Sequence, residues 1–164
     1  ELWRKTTGNS VYSSPAVVNE VVYVGSDDWH IYALDTESGK QLWKKQTNRF
    51  GFVYSSPAVV NGVLYVGSFD KNIYALDAKT GKELWKKRTD SEVNSSPTVV
   101  NGVLYVGSFD KNIYALDAKT GSELWKTPTG NLVYSSPAVV NDVVYVGSHD
   151  KNIYAFKIVG KEFR

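Results

Sequence analysis

The sequence predicts an all-β protein, a β-propeller made of four-stranded antiparallel blades with four blades in the chain. Three observations predict this fold. The sequence repeats every 40 or 42 residues, each repeat contains short β-branched and aromatic runs, and each run ends at a turn signal. A repeat of about 40 to 45 residues that carries four strands is typical of a propeller blade.

The repeat is marked by two residues in each unit, the proline of "SSP" and a tryptophan after "L". Residues 55–87 and 95–127 differ at only three of 33 aligned positions, which indicates recent duplication or deliberate design. We therefore expect one module over residues 1–164, with blade units at approximately 11–47, 53–89, 93–129 and 133–164. The marker residues are Pro15, Pro57, Pro97 and Pro137, and Trp3, Trp43, Trp85 and Trp125.

Turn residues separate the four strands of the second unit. Asn61-Gly62 favours a type I′ hairpin turn, because both positions tolerate positive φ. In the next turn, we expect Asp70 to bond its own backbone and Asn72 to take the left-handed conformation. Residues 79–81, "KTG", form the third tight turn. Each unit is therefore predicted to be a four-stranded meander. A β-solenoid or a sandwich fits the sequence pattern less well.

Composition excludes several functions. The 164 residues include 19 basic and 17 acidic side chains, for a net charge of +2, and these charges are scattered singly. We therefore predict no nucleic-acid partner. The absence of cysteine excludes thiol chemistry, and no apolar run approaches the roughly 20 residues needed to cross a bilayer, so we predict no membrane insertion.

One motif resembles a known repeat. The segments "ALDTESGKQLW", "ALDAKTGKELW" and "ALDAKTGSELW" end at Trp43, Trp85 and Trp125. Their pattern of Ala, Asp, Thr or Ser, Gly and Trp resembles the tryptophan-docking repeat of pyrroloquinoline-quinone (PQQ) type propellers. That family includes PQQ-dependent alcohol dehydrogenases, a lipoprotein that helps assemble outer-membrane β-barrels, and sensor domains of surface proteins. The resemblance implies a periplasmic or cell-surface location.

The resemblance also implies a structural clasp between blades. The indole is expected to lie against small residues and the glycine turn of a neighbouring blade, while the aspartate holds that turn. Losing such a tryptophan costs roughly 3 to 5 kcal/mol. The residues assigned to this clasp are Trp3, Trp43, Trp85, Trp125, Asp35, Asp77, Asp117, Gly39, Gly81 and Gly121.

The two ends of the sequence are complementary. After Ala155 the motif decays, with Lys157 in the place of the aspartate, whereas "ELW" at the start is a fourth strand without its blade. We expect a strand over residues 2–7 to close the last blade and leave no open sheet edge. Larger family members have eight blades, so we favour a homodimer that completes an eight-bladed ring. A longer propeller and a four-bladed monomer are the alternatives.

Differences between the repeats cluster in the connections from fourth to first strand and from second to third strand. Both lie on one face of an up-and-down blade, and loops on a rigid scaffold are a usual place for binding residues. Neutral drift of exposed loops is the alternative explanation. The resulting candidate binding face contains Trp29, His30, Arg49, Phe50, Phe52, Glu92, Asn94 and His149.

No catalytic constellation is visible, so we predict a protein that is not an enzyme, with no catalytic residues, metal or cofactor. Asp28, Asp70, Asp110 and Asp150 each sit alone in a turn, and His30 and His149 have no fixed third ligand. PQQ dehydrogenases use adjacent cysteines and long insertions that this sequence lacks.

The predicted function is a non-enzymatic scaffold, protein-interaction or sensor module that binds itself and, as a further partner, another protein. The alternatives are an engineered or recently amplified repeat without a natural ligand, and a fragment of a PQQ-dependent dehydrogenase.

Overall fold

The computed structural model describes residues 1–159 and 162–163, which contain four separate four-stranded antiparallel sheets. The first sheet contains β1 (Ala16–Val18), β2 (Val21–Ser26), β3 (His30–Asp35) and β4 (Gln41–Gln46). The second contains β5 (Ala58–Val60), β6 (Val63–Gly67), β7 (Asn72–Asp77) and β8 (Glu83–Arg88). The third contains β9 (Thr98–Val100), β10 (Val103–Gly107), β11 (Asn112–Asp117) and β12 (Glu123–Pro128). The fourth contains β13 (Ala138–Val140), β14 (Val143–Gly147), β15 (Ile153–Val159) and β16 (Glu162–Phe163).

Strand order follows the sequence in every sheet, so the predicted meander is confirmed. The type I′ turn is confirmed as well, since Asn61 has φ 51° and Gly62 has φ 77°. This turn pairs Val60 with Val63 and fixes the register of the following strands. All described first strands are only three residues long.

The turn between β6 and β7 corrects one expectation. The left-handed residue is Lys71, with φ 71°, whereas Asn72 already belongs to β7. The Asn72 N–H donates to Asp70 Oδ1 at 3.1 Å, as expected of an aspartate that bonds its own turn. The first repeat has Trp29 at the same place with φ 70°, an uncommon conformation for a bulky side chain.

The hydrophobic core lies between successive sheets. Between the second and third sheets, Tyr65 and Ile73 pack against a layer that includes Leu104 and Leu116. The same positions pack the first sheet on the second and the third on the fourth. Burial of these apolar faces is what joins the blades.

The four sheets form an open arc. The first strands touch in order, β1 with β5, β5 with β9 and β9 with β13. Among the described strands, no contact joins β13 back to β1. The propeller-like blade stack is thus confirmed, and the alternative of a closed four-bladed monomer is not the arrangement observed.

The expected fourth strand at residues 2–7 is not observed within one chain. Residues 1–15 form no strand, and the fourth sheet instead ends with β16, which pairs with Ile158 and Val159. The reason is that the opening segment lies on the first sheet, at the opposite end of the arc from the fourth sheet. Pairing with a second chain stays a prediction.

Candidate functional site

The tryptophans of the repeat contact the next blade. Trp43 Nε1 donates to the carbonyl of Ala78 at 2.9 Å, and Trp85 Nε1 donates to Ala118 at 3.0 Å. A Cβ placed on Gly81 would lie 2.7 Å from the Trp43 ring, so the indole fits only against glycine. Trp125 packs in the core between the third and fourth sheets, with its ring 6.0 Å from that of Tyr105.

The predicted aspartates hold the turns that receive these rings. Asp77 Oδ1 accepts the Thr80 N–H at 2.8 Å and the Thr80 hydroxyl at 2.7 Å. These two bonds lower the pKa of Asp77. Asp35 is held by Ser38 and Asp117 by Thr120 in the same way, and in each turn the glycine that follows has positive φ: Gly39, Gly81 and Gly121.

Trp3 makes the same contacts on the first sheet without having a sheet of its own. Its Nε1 donates to the Thr36 carbonyl at 2.8 Å, and its ring covers Gly39. The Gly8 N–H then donates to Asp28 Oδ2 at 2.7 Å, as Asn48 does to Asp70 at the next joint. The opening segment therefore lies where the fourth strand of a preceding blade would lie.

A valine fits onto a glycine at each joint. A Cβ on Gly25 would lie 2.3 Å from Val53, and one on Gly107 would lie 2.2 Å from Val133. Among the residues that the structure describes, the outer members of this series have no such neighbour. Val11 is 47% exposed, and a Cβ on Gly147 would meet nothing closer than Ser135 at 3.5 Å.

Serines join the innermost residues of all four blades. The backbone N–H of one serine donates to the hydroxyl of the equivalent serine in the next blade. The bonds run from Ser14 to Ser56 at 2.9 Å, from Ser56 to Ser96 at 2.9 Å and from Ser96 to Ser136 at 3.1 Å.

The face that carries the fourth-to-first and second-to-third connections has a continuous series of aromatic rings that crosses all four blades. Neighbouring ring centroids lie 4.2 to 6.0 Å apart, so each ring contacts the next. The series contains, in order, Tyr12, Tyr54, Phe69, Phe109, Tyr134 and His149.

An open hollow of about 440 Å³ lies at the inner edge of this face. Tyr12, Tyr54 and Tyr134 line it together with Asp27 and Asn94. Asp27 is only 8% exposed. Asp27 Oδ1 and Asn94 Oδ1 are both buried without a hydrogen-bond partner. Such orphaned acceptors cost stability and call for an explanation.

The electrostatics of the hollow centre on Asp27. Burial raises the pKa of its carboxyl, the neighbouring charge of Asp28 raises it further, and the Tyr54 hydroxyl opposes the rise. None of the ion pairs among residues 1–159 and 162–163 includes Asp27. A negative charge at this position therefore has no ion-pair partner among the described residues.

Three residues of the predicted binding face belong to this region. Asn94 lines the hollow, Phe52 stacks on Tyr54 at 6.0 Å, and His149 stacks on Tyr134 at 4.7 Å.

The other predicted residues lie apart from the hollow. Phe50 contacts Trp29 at 5.5 Å, and the Arg49 guanidinium lies 5.2 Å from the centre of the Phe50 ring. His30 Nδ1 is 2.8 Å from the Asp28 carbonyl. Glu92 accepts a bond from the Ser91 hydroxyl. In the described part of the chain, no three His, Cys, Asp or Glu side chains form a metal-binding group.

Sequence reasoning missed Asp27 and the three tyrosines of the hollow. The tyrosines sit in the repeated strand entry "VYSSP", which indicated a structural role. The available signal was a comparison between units: Asp27 stands where the later units have Phe69, Phe109 and His149, and Asn94 replaces the tyrosine of the other three.

Comparison with known proteins identifies the family. The family profile described as "Outer membrane protein assembly factor BamB" matches residues 1–57 and 51–162. The chain belongs to this BamB family. No curated protein sequence matches.

Across residues 1–159 and 162–163, no helix is long and apolar enough to cross a membrane.

Solved structures support the BamB-family fold. BamB from Moraxella catarrhalis is 25% identical, with TM-score 0.82 over 95% of this chain and 48% of that one, so the chain spans about half its length. The computationally designed Ika4 protein has TM-score 0.85 at 18% identity, over 97% and 98% of the two chains. Quinohemoprotein alcohol dehydrogenase ADHIIG from Pseudomonas putida HK5 is 24% identical, with TM-score 0.76 over 88% and 29%. The predicted PQQ-type repeat is thereby confirmed.

Proposed function

We propose that this chain is a non-enzymatic half-propeller that pairs with a second copy to complete an eight-bladed ring and acts as an interaction scaffold. The observation that carries the proposal is an apolar face left open on the fourth sheet. Tyr145 is 44% exposed and Ile153 is 84% exposed, whereas Tyr65 and Ile73 at the same positions are 4% and 0% exposed. Monomers rarely expose such a contiguous apolar face.

The opposite end of the arc is complementary to this face. Val11 and Gly147 are the free valine and the free glycine of one repeating contact, so two chains joined end to end satisfy both. The same joint places Ser136 of one copy beside Ser14 of the next and continues the serine series. Two copies related by a two-fold axis form two identical joints, and this is the commonest oligomer symmetry.

The opening segment also fits this joint. β3 pairs with β4 through Ala33 and Trp43, and the equivalent residues at the joint are Ala155 of one copy and Trp3 of the next. β16 pairs with Ile158 and Val159, and no other described residue pairs with the outer edge of β15 from Ile153 to Ala155, so this edge is open to that strand. Trp3 is already seated on the first sheet, so little further ordering is required.

The length comparison agrees with a half-ring, because BamB from Moraxella catarrhalis is about twice as long for the same fold. A longer chain that supplies the missing blades covalently satisfies the same open faces. The mass of the particle that the isolated 164-residue chain forms in solution distinguishes the two arrangements.

Sedimentation of the isolated chain tests the proposal. We expect about 37 kDa, the mass of two 18.3 kDa chains. Ile153→Lys places a charge on the open face, and we expect it to give a folded 18.3 kDa monomer. Leu84→Lys is the matched control, since Leu84 is half exposed on the outer strand of the second sheet, and this variant is expected to dimerise. A wild-type monomer at high concentration, or a dimer of Ile153→Lys, refutes the ring of two chains.

A further inference from the structure

The hollow lined by Tyr12, Asp27, Tyr54, Asn94 and Tyr134 has the features of a ligand site. It is open to solvent and has a volume of about 440 Å³. We propose that it binds an organic cation that carries N–H donors, an alkylguanidinium or a protonated alkylamine, with Asp27 as the counter-charge. The proposal gives the scaffold a binding site and does not depend on closure of the ring, because one chain supplies all five residues.

The unpartnered oxygens specify a ligand that donates hydrogen bonds. Asp27 Oδ1 and Asn94 Oδ1 are buried acceptors with no donor, and both residues line the same hollow. A guanidinium or ammonium group carries several N–H donors and no acceptor. Such a group in the hollow offers hydrogen-bond donors to both residues.

Charge excludes a neutral donor as the best ligand. No described ion pair includes Asp27, and the nearby carboxylate of Asp28 adds to the negative potential. Burial raises the pKa of Asp27, so the charged form of this carboxyl is disfavoured in the free protein. A bound cation supplies an opposite charge and favours the ionised form.

The tyrosine rings favour an organic cation over a hydrated metal ion. Three phenol rings from the first, second and fourth blades line the hollow. Aromatic faces attract cations, and flat guanidinium groups also stack on them. A divalent metal instead needs several oxygen ligands, and no such group of carboxylates is present among the described residues.

The repeat itself singles out the two polar residues. Three units have an aromatic ring at the position of Asp27 and three have tyrosine at the position of Asn94. Asp27 and Asn94 are therefore departures from the repeat in different blades, and the arc brings both to one hollow. Independent drift in two distant loops gives no reason for that convergence.

Isothermal titration calorimetry of the full chain with propylguanidinium tests the site. We expect one saturable site per chain, at least tenfold tighter than for tetramethylammonium, which has the same charge and no N–H. Asp27→Asn removes the charge at constant shape and is expected to weaken binding at least tenfold. Asn94→Tyr installs the residue of the other units and should do the same. Asp142→Asn, which removes a charge from the opposite face, should bind like the wild type.

Folding and assembly are monitored separately. Each variant must keep the wild-type circular dichroism spectrum and melt cooperatively, so that lost binding is not lost structure. Titrations of wild type and of Gly147→Ala, which disfavours the ring, should give equal affinities whether or not the chains pair. The site fails if propylguanidinium shows no saturable binding, if Asp27→Asn binds equally well, or if calcium binds through Asp27 instead.

The source of the cation is distinguished by a peptide. The tripeptide Gly-Arg-Gly presents the same group on a backbone, and Gly-Gln-Gly is its neutral control. Tighter binding of Gly-Arg-Gly than of propylguanidinium identifies the partner as an arginine-bearing protein segment. Weaker binding identifies a free small cation.

Discussion

Gly147→Ala and Gly107→Ala together separate the stability of one chain from the stability of the joint between two. Both glycines end the second strand of a blade and differ only in what lies above them. A Cβ on Gly107 would lie 2.2 Å from Val133 Cγ1 and 3.0 Å from its backbone oxygen. A Cβ on Gly147 would lie 3.5 Å from Ser135, an ordinary contact.

The magnitudes follow from these distances. Overpacking at Gly107 costs roughly 1 to 3 kcal/mol of unfolding free energy, because Val133 is fully buried and cannot move aside. For a chain of this size, the loss lowers the Tm by about 2 to 12 °C. Gly147→Ala should instead stabilise one chain by about 0.4 to 1 kcal/mol, by restricting the unfolded state.

In the proposed ring, an alanine at position 147 would collide with Val11 of the next copy. The cost of roughly 1 to 3 kcal/mol applies at both joints, about 2 to 6 kcal/mol in total, which should raise the dimer Kd between about 30-fold and 2 × 10⁴-fold. Sedimentation across a dilution series measures that Kd, and urea unfolding at a concentration where chains are single measures stability. The proposed contact between Gly147 and Val11 is refuted if Gly147→Ala dimerises like the wild type, or if this variant destabilises the single chain as much as Gly107→Ala does.

Two further predictions concern the clasp and the hollow. Trp85→Ala should lower the unfolding free energy by about 3 kcal/mol, because it removes the indole that covers Gly121 and bonds to Ala118. The control Leu84→Ala, on the same strand, should cost less than about 0.5 kcal/mol. Urea unfolding measures both losses. Equal losses would contradict the clasp. Asp27→Asn should raise stability at pH 7, since the folded state raises the pKa of this carboxyl and its ionised form is therefore disfavoured on folding. The gain should disappear below about pH 4, where the aspartate is protonated in the unfolded chain too. A stability loss at pH 7, read from Tm against pH, would contradict the buried unpaired charge.

The fold was readable from the sequence because each turn has its own local chemistry. Asn61-Gly62 fixes a type I′ turn by itself, and the spacing of Trp43 and Trp85 marks one blade without knowledge of its neighbours. The position of the left-handed residue was predicted wrongly. Asparagine tolerates that conformation intrinsically, but the bond from Asn72 to Asp70 requires Lys71 to adopt it.

The hollow was not readable, since its residues come from four blades and meet only through the curvature of the arc. Tyr54 belongs to a repeated segment, so comparison of one unit with the next assigns it to the scaffold. Asp27 precedes the turn aspartate Asp28 and resembles a duplicate of it. Only the structure reveals that Asp28 bonds to Tyr32 and Gly8, whereas one oxygen of Asp27 bonds to nothing.

The serine bonds at the inner edge have a direction. Each blade gives an N–H to its successor and receives one from its predecessor, from Ser14 through Ser56 and Ser96 to Ser136. These contacts are all non-covalent, so they do not require a continuous peptide from one blade to the next. Copies that associate through this series would therefore do so head to tail, and peptide cleavage between any two blades should leave the pieces with a matching surface through which to reassemble.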